Sequence, residues 1–235
     1  MCWSKNVSLG MTFIGLLFTY YSYYKIDKIW ALNVFYFTLM QIIHYIGYLF
    51  INDCNHPVNK MMAYLNYIHI SFQPVIFLLG FNTLFKKLNI INEKDYNYIN
   101  NYIYFGIVIG ILLISRLFPI VIDKDRSYKL ERKGCVWCGV PCSFSGNKHI
   151  SFSIPLRNTP QYLTPTMFMH FALFYIPFIL LLNKKVTFFM LLIFLSSLIP
   201  SLLFKINPAE TGTIWCSISI IQWIVSFLLL KNIKI

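Results

Sequence analysis

NKMMAYLNYIHISFQPVIFLLGFNTLF, residues 59–85, carries a single lysine, Lys60 at its start, and no other charged side chain. At a rise of about 1.5 Å per residue, such a stretch exceeds the roughly 30 Å of a bilayer's hydrocarbon core. A helix on the surface of a soluble domain would need a charged face, and this stretch has none. His69, Gln73 and Pro74 interrupt its apolar run. The segment is therefore read as a transmembrane helix with polar groups inside it.

Six further apolar stretches of similar kind flank it, at about 8–24, 29–51, 98–122, 164–182, 186–204 and 210–230. Over the whole chain 57% of residues are hydrophobic and only 12% are charged. That is about half the charge of a soluble domain, too little polar surface to coat a water-soluble fold. The mean hydropathy of +0.62 agrees. The expected fold class is all-α: a single integral membrane domain over 1–235, built as a seven-transmembrane helix bundle. The first stretch has the short basic start of a signal peptide. It runs into TYYSYYK without a small-residue cleavage site, so it is read as a retained helix.

The formal charge of +12 does not point to nucleic acid. Basic residues are scattered between the helices, as in Lys86–Lys87 and Lys184–Lys185, where they serve lipid phosphates and topology. The implied partners are membrane lipids. Seven crossings place the turns alternately. Lys25, Lys28, Lys86, Lys87, Lys94, Lys184, Lys185, Lys231 and Lys234 fall on the C-terminal side, against Lys5, Lys60 and Lys205 on the N-terminal side outside the long loop. The bias of short loops makes the N-terminus extracellular or luminal and the C-terminus cytoplasmic. The long loop 123–163 places seven more basic residues on the N-terminal side, but long segments translocate with less regard to charge.

That loop, between helices four and five, holds CVWCGVPC (135–142) and then HISFSI (149–154). Alternation in the second run, preceded by Ser145, Gly146 and Asn147, predicts a small β-hairpin pairing about 140–144 with 149–154 over the mouth of the bundle. All six cysteines fall on the N-terminal side: Cys2, Cys54, Cys135, Cys138, Cys142 and Cys216. An even set on one face suggests disulfides in an oxidising compartment, with fifteen pairings possible for six cysteines. The CxxC is also a common half-site for zinc or an iron–sulfur centre, and free thiols are a further reading.

Ionisable groups inside spans are costly and mark functional candidates. Here they are His44, His69, Arg116, His170 and Glu210, joined by Gln41, Gln73 and Gln222. Counted from the N-terminal-side helix ends, His44 lies roughly 12 Å deep, His69 roughly 18 Å, and His170 and Arg116 roughly 9 Å. All fall in the half nearest the cysteines. A bundle-locking role for each histidine, snorkelling by Arg116, and a helix-start role for Glu210 are the plainer readings.

In outline the pattern resembles rhodopsin-type receptors, with a cysteine beginning helix three and a cysteine-bearing hairpin after helix four. It lacks a DRY-like end to helix three, NPxxY, and a mid-depth lysine in helix seven. MCWSKNVS at the start, DCNHPVNKMMAYLNYIHISFQP (53–74), HISFSIPL (149–156) and PAETGTIWCSIS (208–219) resemble more closely an uncharacterised family of multi-pass membrane proteins opening Met-Cys-Trp. That family occurs in algae, protists, bacteria and large DNA viruses. The resemblance implies fold and membrane location rather than activity. Where the family tends to carry Glu and Gln three apart in helix two, this chain has Gln41 and His44.

Three functions follow. One is binding or transport of a small polar or lipid-like ligand in a pocket open to the N-terminal side, using His44, His69, His170, Arg116, Gln41, Gln73 and Glu210. Another is a structural or assembly role. The third is a zinc-dependent lipid hydrolase, with His44, His69 and His170 as ligands and Glu210 as acid–base. That set is similar to the alkaline ceramidase group, although the estimated depths of the three histidines differ by ~9 Å.

Overall fold

The computed structural model describes residues 4–118, 139–146, 149–156, 167–181, 183–203 and 208–232. Among them are seven α-helices and one two-stranded antiparallel sheet. The helices are α1 (Lys5–Lys25), α2 (Lys28–Leu49), α3 (Pro57–Lys87), α4 (Glu93–Ser115), α5 (Met167–Ile179), α6 (Lys184–Leu203) and α7 (Pro208–Asn232). They follow the seven apolar stretches closely. The largest difference is at α4, which ends at Ser115 where the sequence suggested about 122.

Local chemistry sets the helix starts. Asp27 Oδ1 accepts from the Ile29 and Trp30 amides at 2.7 and 3.3 Å, capping α2. Pro57 opens α3, and the preceding His56 Nδ1 accepts from the Val58 amide at 3.2 Å. Asn92 caps α4 by accepting from Asp95 N at 2.8 Å, with Glu93 and Asp95 near the positive end of the helix dipole. Asn183 does the same for α6, through Lys185 N at 3.1 Å, while its amide nitrogen donates to Ile90 O of the α3–α4 turn at 3.0 Å.

Consecutive helices pack as neighbours, and α7 returns to α1, closing a ring. Within it α2 also touches α7 and α3 also touches α5, so α2 and α3 are the inner helices. Glycines allow close approach. A Cβ at Gly15 would lie 2.2 Å from Thr38 Oγ1, and one at Gly80 would lie 2.5 Å from Asn33 Cβ. Small residues at helix crossings are the packing device of bundles that lie in lipid.

One end of the bundle is marked by Asp27 and Lys87, whose side chains lie 3.7 Å apart. From that end to mid-bundle, aromatic rings fill the interior. Trp223 packs against Phe37, Phe77 and Phe81 with centroids 5.0, 5.4 and 5.2 Å apart, and Trp30 and Phe178 continue the cluster. The outside is apolar too: Phe13, Leu17, Tyr104 and Phe188 are each more than 60% exposed. Buried and surface positions thus depart from the soluble pattern. Asn33, Gln41, His44, Asn66, His69 and Gln73 are buried while large apolar side chains face outward. Three helices, α2, α3 and α4, are long and apolar enough to cross a membrane.

Candidate functional site

The site lies at the opposite end, where the hairpin meets the α2–α3 turn. Strands β1 (Cys142–Ser145) and β2 (Ile150–Ser153) pair with Cys142 opposite Ser153 and Ser145 opposite Ile150. These bounds sit within two residues of those read from the alternation. A two-stranded hairpin is marginal on its own, and three kinds of anchor hold this one.

The first is covalent. A disulfide joins Cys54, in the α2–α3 turn, to Cys142 at the start of β1 across 88 residues of chain. Of the other cysteines, Cys2, Cys135 and Cys138 lie outside the described residues, as does the side chain of Cys216.

The second is a pair of asparagines that close the free edge of β1. Asn59 Nδ2 donates to Ser143 O at 2.8 Å, and its Oδ1 accepts from Ser143 N at 2.7 Å. The amide side chain imitates a neighbouring strand, and its second N–H donates to Phe50 O at 2.7 Å. Asn52 adds its backbone N–H to Ser143 O at 3.1 Å and accepts from Ser145 N at 2.9 Å. It adopts φ 67°, a left-handed conformation that asparagine tolerates better than most residues. On the other edge, the Tyr48 hydroxyl accepts from Ile150 N at 3.1 Å.

The third anchor is packing. Ile150 packs closely on α2 here: a Cβ on Gly47 would approach its Cδ1 to 2.9 Å and the isoleucine tip would have to shift. Phe152, Ile154 and Leu156 are buried in the main core. The sequence suggested a hairpin lying over the mouth of the bundle; the folded chain sinks it between α2, α3 and α7.

His44, from α2, is fully buried. The ring of His149, at the turn end of the hairpin, lies against it with centroids 5.1 Å apart and planes inclined at 65°. The Asn66 side chain of α3 faces the His44 ring. The two side chains lie within bonding reach of each other without good alignment, and neither has another described hydrogen-bond partner. The buried Ser143 hydroxyl also has no described partner and lies 3.9 Å from the position a Gly47 Cβ would occupy, one turn along α2 from His44. His149 contacts the Ile150 carbonyl at 3.3 Å through Nδ1. Burial pushes its imidazole down to about 4, against the opposing effect of that carbonyl.

His69 lies in a different setting. Its Nε2 is 2.6 Å from Tyr36 O, so that nitrogen must carry the proton. Nδ1 then accepts from Gln73 Nε2 at 3.1 Å. The Tyr36 hydroxyl donates back to His69 O at 2.6 Å, and the rings stack at 4.1 Å. His69 and Gln73 therefore tie α3 to α2, and both ring nitrogens are in use. Gln222 likewise ties α7 to α6 through Ser196 Oγ at 2.8 Å. Arg116 caps the end of α4 beside the Tyr67 hydroxyl. Gln41 is buried on α2, three residues before His44.

His170 and Glu210 fall on α5 and α7, but their side chains lie outside the described ones. Among the described residues no three His, Cys, Asp or Glu side chains come together to hold a metal. A zinc set that includes His69 would have to break one of the two hydrogen bonds that its ring already makes. Sequence reading passed over His149, Asn66, Ser143, Asn52 and Asn59. The polar positions of HISFSI alternate as a solvent-facing edge would, and nothing local says that this edge is buried against α2.

The family described as a family of unknown function, DUF5765, matches residues 6–234. No curated protein and no solved structure matches the chain.

Proposed function

From the premise that the chain belongs to DUF5765, a family of unknown function, we propose that it is a seven-helix integral membrane protein that binds a small polar or lipid-like ligand at the hairpin end. The reading places the N-terminus and hairpin on the extracellular or luminal side and the C-terminus in the cytoplasm. The exposed apolar side chains on α1, α4 and α6, set against a polar interior, support insertion. The disulfide at the hairpin supports an oxidising compartment on that side.

The observation that carries ligand binding is the His44–Asn66 pair: side by side, fully enclosed, and with more polar atoms than the two side chains can satisfy between themselves. Each atom left over costs about 1–3 kcal/mol, so its retention calls for a partner supplied from elsewhere. His44 and Asn66 are then the ligand-contacting residues, with Gln41 alongside. His69 and Gln73 hold α2 and α3 in place around them. Binding is favoured over passage because the aromatic cluster occupies the interior towards the other end. Occupancy requires the His149 ring to move off His44.

Native mass spectrometry of the protein released from mild detergent tests the reading. The wild type should retain a non-protein mass that His44→Leu and Asn66→Leu both lose. If His44→Leu melts at a higher temperature and neither protein carries added mass, His44 is merely a costly core residue and the binding role is wrong.

A further inference from the structure

We infer that this site selects an uncharged group that both donates and accepts hydrogen bonds, a hydroxyl or an amide, and rejects carboxylates and ammonium ions. The inference rests on the ligand-binding reading above and adds the class of ligand. It begins from the polar atoms that lack partners. A neutral His44 offers one donor and one acceptor, Asn66 offers an N–H₂ and a carbonyl, and Ser143 offers one hydroxyl. That mixture is matched by a group of the same dual character. A carboxylate could use only the donors and an ammonium only the acceptors, which would leave the remainder buried and unpaired.

Charge points the same way. The buried polar side chains among the described residues are Ser, Thr, Asn, Gln and His, with no Asp, Glu, Lys or Arg. An ion entering the site would lose its hydration without meeting a counter-charge, a cost of several kcal/mol. The neighbouring His149 also stays neutral at physiological pH, because its burial opposes protonation. An uncharged group pays no such penalty.

The same chemistry is carried by the head of a neutral lipid and by a free polyol. Four probes separate these sources and test the class: monooleoylglycerol, glycerol alone, oleate and oleylamine, each added to the full-length protein in detergent while its melting temperature is followed. At a hundredfold excess over Kd, a binding probe should raise Tm by about 5 °C. Monooleoylglycerol should do so, and Asn66→Leu should abolish the rise. An equal rise with glycerol identifies a free polar ligand; a rise only with the acylated probe identifies a lipid head.

Equal stabilisation by oleate or oleylamine overturns the inference, as does a monooleoylglycerol response unchanged in Asn66→Leu. No shift with either neutral probe also overturns it. The binding reading fails separately, if the wild type itself carries no added mass in native spectrometry. A retained mass identified as an organic ion would keep that reading and defeat this one. Should Asn66→Leu fail to fold, Ser143→Ala removes the hydroxyl at less steric cost and should halve the neutral-probe shift or more.

Discussion

His44 and His69 are the same residue type on adjacent inner helices, yet they meet opposite conditions. His69 has a carbonyl on one nitrogen and an amide on the other, while His44 has only the poorly aligned Asn66 side chain beside it. Replacing His69 with alanine should therefore destabilise the protein by about 1–3 kcal/mol, since Tyr36 O and Gln73 lose their partners. His44→Leu should be neutral or stabilising in ligand-free protein. Thermal unfolding of the two variants side by side checks the contrast; equal losses would place both histidines in the lock. His149 adds a pH dependence. Its folded value is depressed to about 4 from 6.5, so the folded state binds its proton later than the unfolded chain does. Its contribution is fully present above about pH 6.5 and is lost as pH falls towards 4, on the order of 3 kcal/mol in all. The stability difference between wild type and His149→Gln should shrink by that amount over that window. A difference constant from pH 7.5 to 4.5 would show that the imidazole is already in contact with water.

At the scale of the element, the hairpin depends on partners distant in sequence. The Cys54–Cys142 bridge closes a loop of 88 residues, and Cys142→Ser should cost about 2–5 kcal/mol. Asn59→Leu should cost about 1–3 kcal/mol, because it takes the acceptor from Ser143 N and one of two donors from Ser143 O and from Phe50 O. Asn59→Asp, which keeps the acceptor and loses the donors, should fall between wild type and leucine. Hydrogen exchange at 142–153 reads these effects locally. Protection unchanged in Asn59→Leu would mean that packing of Phe152 and Ile154 alone seats the hairpin.

For the molecule as a whole, the geometry separates two ends. The hairpin and the disulfide occupy one, and the Asp27–Lys87 contact, with the 88–92 turn beside it, occupies the other. If the bundle spans a bilayer, a glycosylation acceptor placed in the 52–56 turn should be modified. One placed in the 88–92 turn should not. Modification of both or of neither would remove the proposed orientation. A cysteine map of protein taken from cells under thiol-blocking conditions should show Cys54 linked to Cys142, and free thiols at both would deny the oxidising side.

What sequence alone determined was the set of helices and the hairpin. Hydrophobic runs and strand alternation are local signals, readable within a few residues of their cause. They placed seven helices and two strands closely. Sequence also leads one to expect His44, His69, Arg116 and the cysteines in one half of the chain's depth, and Cys54 does meet Cys142. It could not choose among fifteen cysteine pairings, because pairing depends on which turn lies beside which strand. Nor could it tell His44 from His69, or see that His149 joins the former. Those distinctions depend on how α2 and α3 are rotated about their axes and on how deeply the hairpin sinks between them. Packing across the bundle decides both: Gly47 admits Ile150, Asn59 completes the edge of β1, and Tyr36 reaches His69 from the neighbouring helix.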